Sequence, residues 1–213
     1  MIIKRFKVNP LEENCYVAYD DTKECVIVDC GAFTEEEFNS IKNYIDDNAL
    51  KPVHHILTHG HFDHIAGSTF VEKAYGLKPE LHYADEQMYK SINDQMRQLM
   101  GMSMNIDLPV IGRCFNNGDA VTFGNTTLKV IATPGHSQGC VFYLDESGKQ
   151  AFSGDTLFCG SIGRTDFTGG SMFQIINSLR FIAQLDDDIV LYPGHGGETT
   201  IGDEVAHNPY MDR

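Results

Sequence analysis

The sequence predicts a single α/β domain, and three observations carry that prediction. Short apolar runs of strand length alternate with amphipathic helical segments along the chain. Four of those strands finish in turns of small residues that carry histidine or aspartate. The length of 213 residues fits one domain, large enough to bury roughly 70% of the surface of its unfolded form.

The N-terminal part reads as three short strands, Ile2–Val8, Cys15–Tyr19 and Cys25–Val28, joined by turns rich in Asn, Asp and Glu. Thr34-Glu35-Glu36-Glu37 opens a helix with a capping box, its acids placed where the helix dipole favours them. That helix is predicted to run to about Asp47 and to bury Phe38, Ile41 and Ile45. Val53–Leu57 is an apolar run of strand length, and Ile65–Tyr75 reads as a helix. Between them lies Thr58-His59-Gly60-His61-Phe62-Asp63-His64.

Further on, Leu81–Tyr83 is a short strand, and its lone His82 reads as a structural histidine rather than a ligand. Asp85–Met100 carries Met88, Ile92, Met96 and Leu99 on one face of a predicted helix, with Met102 and Met104 continuing the soft apolar surface. Core packing explains that face, and a wall of the substrate cleft or a subunit contact is the alternative. Ala120–Phe123, Thr127–Ala132, Val141–Leu144, Gln150–Phe152 and Ile189–Tyr192 read as strands. Met172–Leu185 and Ile201–His207 read as helices, the first entered through the glycine-rich stretch Gly160–Gly170.

Composition narrows the function classes. A formal net charge of −14 disfavours a nucleic-acid groove and an anionic membrane surface. Met1–Phe6 is too short and too charged for a signal peptide, and no apolar run approaches a membrane span. The six cysteines are scattered without a Cys-x-x-Cys pair, which suggests reduced thiols and a cytoplasmic protein.

The chemistry concentrates in the His59–His64 loop. In extended chain, side chains two apart point the same way, so His59 and His61 can reach one point together. Asp63 and His64 are adjacent and suit a second point, as the chain turns into the helix. Three imidazoles and a carboxylate suit zinc or, less selectively, iron or manganese. Three later strands end in turns holding His136, Asp155 and His195, each beside a glycine.

The His-x-His-x-Asp-His loop, followed in order by those three turns, resembles the metallo-β-lactamase superfamily over nearly the whole chain. The resemblance implies a four-layer αβ/βα sandwich with a metal site on one edge. It also implies two divalent metal ions, zinc first with iron or manganese as alternatives. His59, His61 and His136 would hold one, Asp63, His64 and His195 the other, with Asp155 bridging and a hydroxide between. Two dications against two carboxylates and a hydroxide leave about one net positive charge, so the bound water should ionise near neutral pH. Asp63 would orient the hydroxide. Asp29-Cys30-Gly31 either supports the metal loop, as in that family, or is a plain turn.

Asp155 narrows the resemblance, because the di-zinc β-lactamases considered carry Cys there. Gly154–Phe158, Gly163–Phe167 and Pro193–Gly196 resemble the short bacterial members of the glyoxalase II branch, which hydrolyse glutathione thioesters such as S-lactoylglutathione. The expectation is therefore a metal-dependent thioester hydrolase acting on a small molecule. Thiolates leave readily, with a parent pKa of roughly 8.5, and need no strong general acid. Arg164 either braces its loop against Asp166 or holds a substrate carboxylate. The basic glutathione-binding region of long glyoxalase II enzymes has no counterpart in Gly196–Arg213, which holds one Arg and no Lys.

Persulfide dioxygenases also resemble the chain, with one iron held by the equivalents of His59, His136 and Asp155. They are expected to carry Ala-His-Asp where Gly194-His195-Gly196 stands, which favours the hydrolase. A non-catalytic module would tend to lose ligands, and all seven are present. A nuclease of the same superfamily is disfavoured by the charge and by the lack of a basic arm.

Overall fold

Strands that read as uninterrupted apolar runs are buried on both faces in the computed structural model, which describes residues 1–101, 103 and 105–211. One sheet holds six strands in sequence order: β1 (Ile2–Val8), β2 (Glu13–Tyr19), β3 (Glu24–Val28), β4 (Lys51–Ile56), β5 (Pro79–His82) and β6 (Arg113–Phe115). β1 to β3 pair antiparallel, and β3 to β6 pair parallel.

The second sheet also has six strands. They are β7 (Ala120–Phe123), β8 (Thr126–Ala132), β9 (Val141–Asp145), β10 (Gln150–Gly154), β13 (Val190–Pro193) and β14 (Thr199–Thr200). β10 and β13 are its one parallel pair. β11 (Leu157–Phe158) and β12 (Ser161–Ile162) form a separate small hairpin.

Alternation along each strand sorts the side chains into layers. Tyr16, Ala18, Val26 and Val28 of the first sheet meet Val121, Leu128, Val130, Val141, Tyr143 and Phe152 of the second in the central layer. Their neighbours Cys15, Val17, Cys25 and Ile27 point outward onto α1 (Glu35–Asp47), whose Phe38, Ile41 and Ile45 close that layer. Each such buried side chain contributes roughly 1.5–3 kcal/mol of apolar burial. On the opposite side, Phe142, Leu144, Ala151 and Leu191 pack against Ile175, Leu179 and Ile182 of α6 (Met172–Ile182) and Ile201 of α7 (Ile201–His207). The result is the predicted αβ/βα sandwich.

The Thr34 cap of α1 forms in full, with its hydroxyl accepting from Glu37 N–H and the Glu37 carboxylate accepting from Thr34 N–H. Two predicted helices are broken. The first, predicted over Ile65–Tyr75, starts earlier as α2 (Phe62–Ile65), which takes in Asp63 and His64, and resumes as α3 (Ser68–Tyr75) after Gly67, whose N–H bonds to Cys30 C=O at 2.8 Å. A side chain at Gly67 would collide with Cys30, so the break docks the His59–His64 loop on the end of β3.

The second divides at Ser91 into α4 (Glu86–Lys90) and α5 (Ile92–Met100), with the Ser91 hydroxyl donating to Met88 C=O at 2.8 Å. Its apolar face divides too. Ile92 and Met96 join Leu57, Phe62 and Ile65 in a core cluster, whereas Leu99 is 40% exposed. Met102 and Met104 lie outside the described residues. β6, β11, β12 and β14 span three or two residues each. They were too short to predict, since only pairing to a neighbour makes them strands.

The run Val53–Leu57 contains two histidines with different fates. His54 Nδ1 pairs with Glu80 Oε1 at 2.6 Å, and His55 is fully buried, its pKa pushed down to about 3 by burial. Between that value and the ordinary 6.5, the unfolded chain binds a proton at this site that the folded chain refuses. Stability should therefore fall as pH drops through this window, by up to about 1.4 kcal/mol per pH unit from this one group. His55→Leu should reduce the acid-side slope by that amount in urea unfolding at pH 4, 5, 6 and 7. An unchanged slope would mean that His55 is protonated in the fold.

Candidate metal centre

Four carboxyl-terminal strand ends converge on one edge of the sandwich. β10 and β13 run parallel, so Asp155 and His195 emerge side by side, and β8 runs in the same direction and delivers His136. β4 brings the His59–His64 loop from the other sheet. Val141 N–H donates to Thr58 C=O at 2.9 Å, and the Tyr143 hydroxyl donates to Leu57 C=O at 2.9 Å. These two bonds lock the sheets together directly behind the loop.

The seven sequence-predicted ligands meet here. His59, His61 and His136 offer nitrogens within 4.8 Å of one another, and Asp63, His64 and His195 form a second such group. Asp155 stands between them, with Oδ1 at 3.4 Å from His64 Nε2 and Oδ2 at 3.5 Å from His136 Nε2 and 3.6 Å from His195 Nε2. His59 Nε2, His64 Nε2 and Asp155 Oδ1 are buried without a hydrogen-bond partner. Lone pairs aimed inward and left unpartnered by protein fit divalent cations. The chain holds His and Asp donors for them, which suits zinc, iron or manganese.

The electrostatics divide the rings: against the effect of burial, Asp155 and Asp63 raise His64 well above its usual range and raise His195 as well, whereas His59 and His61 go down. Burial keeps His59 neutral well below its usual range and pushes His61 down to about 3, and the neutral ring is the ligating form. Burial alone would raise Asp155, but the His64 and His136 rings outweigh it and hold the carboxylate ionised. Asp63 is lowered in the same way, by His64 and His195.

Three outward ring nitrogens are held by protein, and across the first cluster His61 Nδ1 lies 2.8 Å from His136 Nε2. His64 Nδ1–H donates to Asp29 Oδ2 at 3.0 Å, His136 Nδ1–H to Arg164 C=O at 2.7 Å, and His195 Nδ1–H to Leu11 C=O at 3.1 Å. Such partners fix the tautomer and leave Nε2 to ligate. Asp29 also accepts from Thr58 N–H at 2.7 Å and from the Thr58 hydroxyl at 2.6 Å, so it supports the loop rather than merely ending a strand. At Gly194 a side chain would collide with Asp155 and His64, so only glycine fits.

Several positioning residues were missed. Asp85 read as the start of a helix. It is buried, and its carboxylate accepts from Gly60 N–H at 2.9 Å, the Ser137 hydroxyl at 2.6 Å and Gly139 N–H at 2.7 Å. It thereby clips the His59–His61 segment to the His136 turn. Asn14 Nδ2 donates to Pro193 C=O at 2.9 Å and Gly196 C=O at 3.0 Å, which anchors the His195 turn to β2. Glu13 is fully buried with Oε1 at 3.8 Å from His64 Nδ1, and burial pushes its carboxyl well above the usual range. No spacing in the sequence marks these three, because their partners lie far along the chain.

His82 stays outside the centre, its Nδ1 accepting from Ala84 N–H at 3.4 Å. Arg164 does form the predicted pair, donating to both Asp166 oxygens at 2.7 Å, and its guanidinium lies 3.8 Å from the Phe167 ring centroid. It also lines the cleft of about 680 Å³ that opens onto the ligands. Leu11, Phe62, Leu99, Met100 and Phe158 give that cleft its apolar walls.

Residues 8–195 match the metallo-beta-lactamase superfamily. The chain belongs to that superfamily. Hydroxyacylglutathione hydrolase GloC of Haemophilus influenzae is 34% identical over 215 residues, covering 100% of this chain and 99% of the relative. Among solved structures, the BLEG-1 B3 metallo-beta-lactamase superposes with a TM-score of 0.90 at 33% identity, covering 99% of both chains. TTHA1623 in a di-iron-bound form superposes with a TM-score of 0.87 at 32% identity, covering 98% of this chain and 100% of that one. This superfamily of metallo-hydrolases therefore supplies the frame for the two clusters, and a di-iron relative stands among its similar structures.

Asp85 offers a test of the frame, since it touches none of the clustered ligand atoms. Asp85→Ala should lower metal affinity or turnover by roughly 10- to 100-fold, as loss of an outer support does. His82→Ala should change neither by more than about twofold. Metal titration with a chromophoric chelator would check both. Equal losses in the two folded variants would remove Asp85 from this role.

Proposed function

We propose that this chain is a metal-dependent hydrolase of small-molecule thioesters that uses two divalent ions. The reading rests chiefly on one observation: two triads able to hold metal ions flank Asp155 on an apolar-walled cleft that, among its described lining residues, carries no acid besides Asp63 and Asp155. Zinc is favoured for the donors, with iron or manganese as alternatives. His59, His61 and His136 would hold one ion, and Asp63, His64 and His195 the other.

When bound, the ions would supply Lewis acidity and lower the pKa of water. In the net reaction water adds to the acyl carbon, the C–S bond breaks, and the departing thiolate takes up the proton that water releases. The chain's residues set the geometry. Asp155, anchored between the triads, fixes their separation. Asp63 Oδ2, at 3.3 Å from His195 Nε2, is held where it can accept a hydrogen bond from the attacking water. Phe62, Phe158 and Phe167 exclude bulk solvent and strengthen every charge interaction inside.

The similarity to a GloC hydrolase supports thioester chemistry, and the similarity to BLEG-1 makes β-lactam hydrolysis the competing reading. An amide needs its departing nitrogen protonated, whereas a thiolate leaves unaided. A persulfide dioxygenase reading needs one iron rather than two ions. The asymmetry of those requirements favours the thioester.

Elemental analysis should find close to two equivalents of metal per chain, and the loaded protein should hydrolyse S-lactoylglutathione while leaving a cephalosporin intact. Asp155→Ala should lose turnover by several orders of magnitude and bind metal more weakly. The limb of kcat/KM that rises with pH should have its midpoint near roughly 7. One iron per folded chain with oxygen uptake on glutathione persulfide would shift the assignment to the dioxygenase. No thioester turnover with both ions in place would end it.

A further inference from the structure

The cleft does not stop at the ligand clusters. Past His61 it continues into an outer cavity of about 550 Å³, set between α4 and α5 on one side and the segment 166–169 on the other. His61, Gln98, Leu99 and Phe167 line both spaces, so one extended molecule can occupy them together. An acyl group placed at the ligands would send its leaving group outward along Leu99 and Phe167.

The lining of that outer cavity is specific in its chemistry. Gln87 and Gln98 line it, both exposed and without a hydrogen bond to another described residue, and each carboxamide offers both a donor and an acceptor. Gln138 reaches it too, while donating to Gly169 C=O at 2.6 Å. Met88, Leu99 and Phe167 supply apolar surface between the amides.

Cations are scarce there. Among the described residues lining either space, Arg164 is the one Lys or Arg, and both faces of its charge are engaged, by Asp166 and by the Phe167 ring. Asp94 and Asp166 add carboxylates to the wall, Asp94 held by Arg97 at 2.6 Å. A carboxylate entering this cavity would face Asp94 and Asp166 and meet no uncommitted cation among the described lining residues.

We infer that the outer cavity binds the thiol carrier of the substrate, and that this carrier is an uncharged chain of alternating amides and methylenes rather than a carboxylate-bearing peptide such as glutathione. The inference rests on the thioester-hydrolase reading for the catalytic step and on the cavity alone for the class of carrier. Amide recognises amide through paired hydrogen bonds, and the methylenes lie on Met88, Leu99 and Phe167.

Two measurements test it on the metal-loaded protein. The first compares lactoyl thioesters of pantetheine and of glutathione. kcat/KM should be at least about tenfold higher for pantetheine, with the difference in KM, because the carrier contributes binding common to ground and transition states. Gln87→Ala, which alters the outer cavity alone, should raise KM for the pantetheine thioester several-fold more than KM for the glutathione thioester. The second measures calorimetric binding of S-methylpantetheine and S-methylglutathione, neither of which can be hydrolysed as a thioester. S-methylpantetheine should bind at least about tenfold more tightly. Equal or better recognition of the glutathione compounds would overturn the inference. Loss of all thioester turnover would instead overturn the hydrolase reading, and the calorimetric comparison would still decide the carrier class.

Discussion

Everything in this molecule depends on holding imidazoles and carboxylates together away from water. Asp63, His64, Asp155 and His195 lie within 3.3–3.8 Å of one another through ring nitrogens and carboxylate oxygens, and the first three are buried. Gathering such groups is costly unless each polar atom has a partner or a cation. The sandwich meets that constraint by bringing separate strand ends to one edge, where short turns can be fixed from behind. The two packed sheets supply the rigidity.

The fixing is done by a small set of polar side chains that are neither ligands nor core. Asp29 joins the end of β3 to Thr58 and to the His64 ring. Asp85 joins Gly60 to the turn at Ser137 and Gly139. Asn14 and Tyr16 both donate to Pro193 C=O and tie the His195 turn to the opposite sheet. Each bridge links elements far apart in sequence, so the ligand positions are set by the assembled fold rather than by any one loop. Rigid strand ends with supported turns are also the arrangement best suited to hold reacting groups within tenths of an ångström.

The cleft adds a second physical theme, economy of positive charge. With a formal net charge of −14, the chain has few cations to place, and among the described residues the one Lys or Arg that lines the cleft, Arg164, is spent on its own loop. Arg164 serves the centre twice, its side chain bracing against Asp166 and Phe167 and its carbonyl orienting His136. Selectivity for what enters must then come from amides, thioethers and aromatic faces, and from the charge of bound ions.

The sequence by itself determined the layers and which histidines and aspartates gather at one edge. Strand runs without polar interruption demanded cover on both faces, the Thr34 capping box started α1 where it was expected, and the His-x-His-x-Asp-His spacing marked the loop. These are local signals, written in consecutive residues. The break at Gly67, the brief strands β6 and β14, and the parts played by Glu13, Asn14 and Asp85 were decided by tertiary structure. Each depends on a partner more than twenty residues away or on a neighbour packed alongside. No periodicity or spacing can encode such a partner. A buried carboxylate that clips two loops looks, in sequence, like any aspartate at the start of a helix.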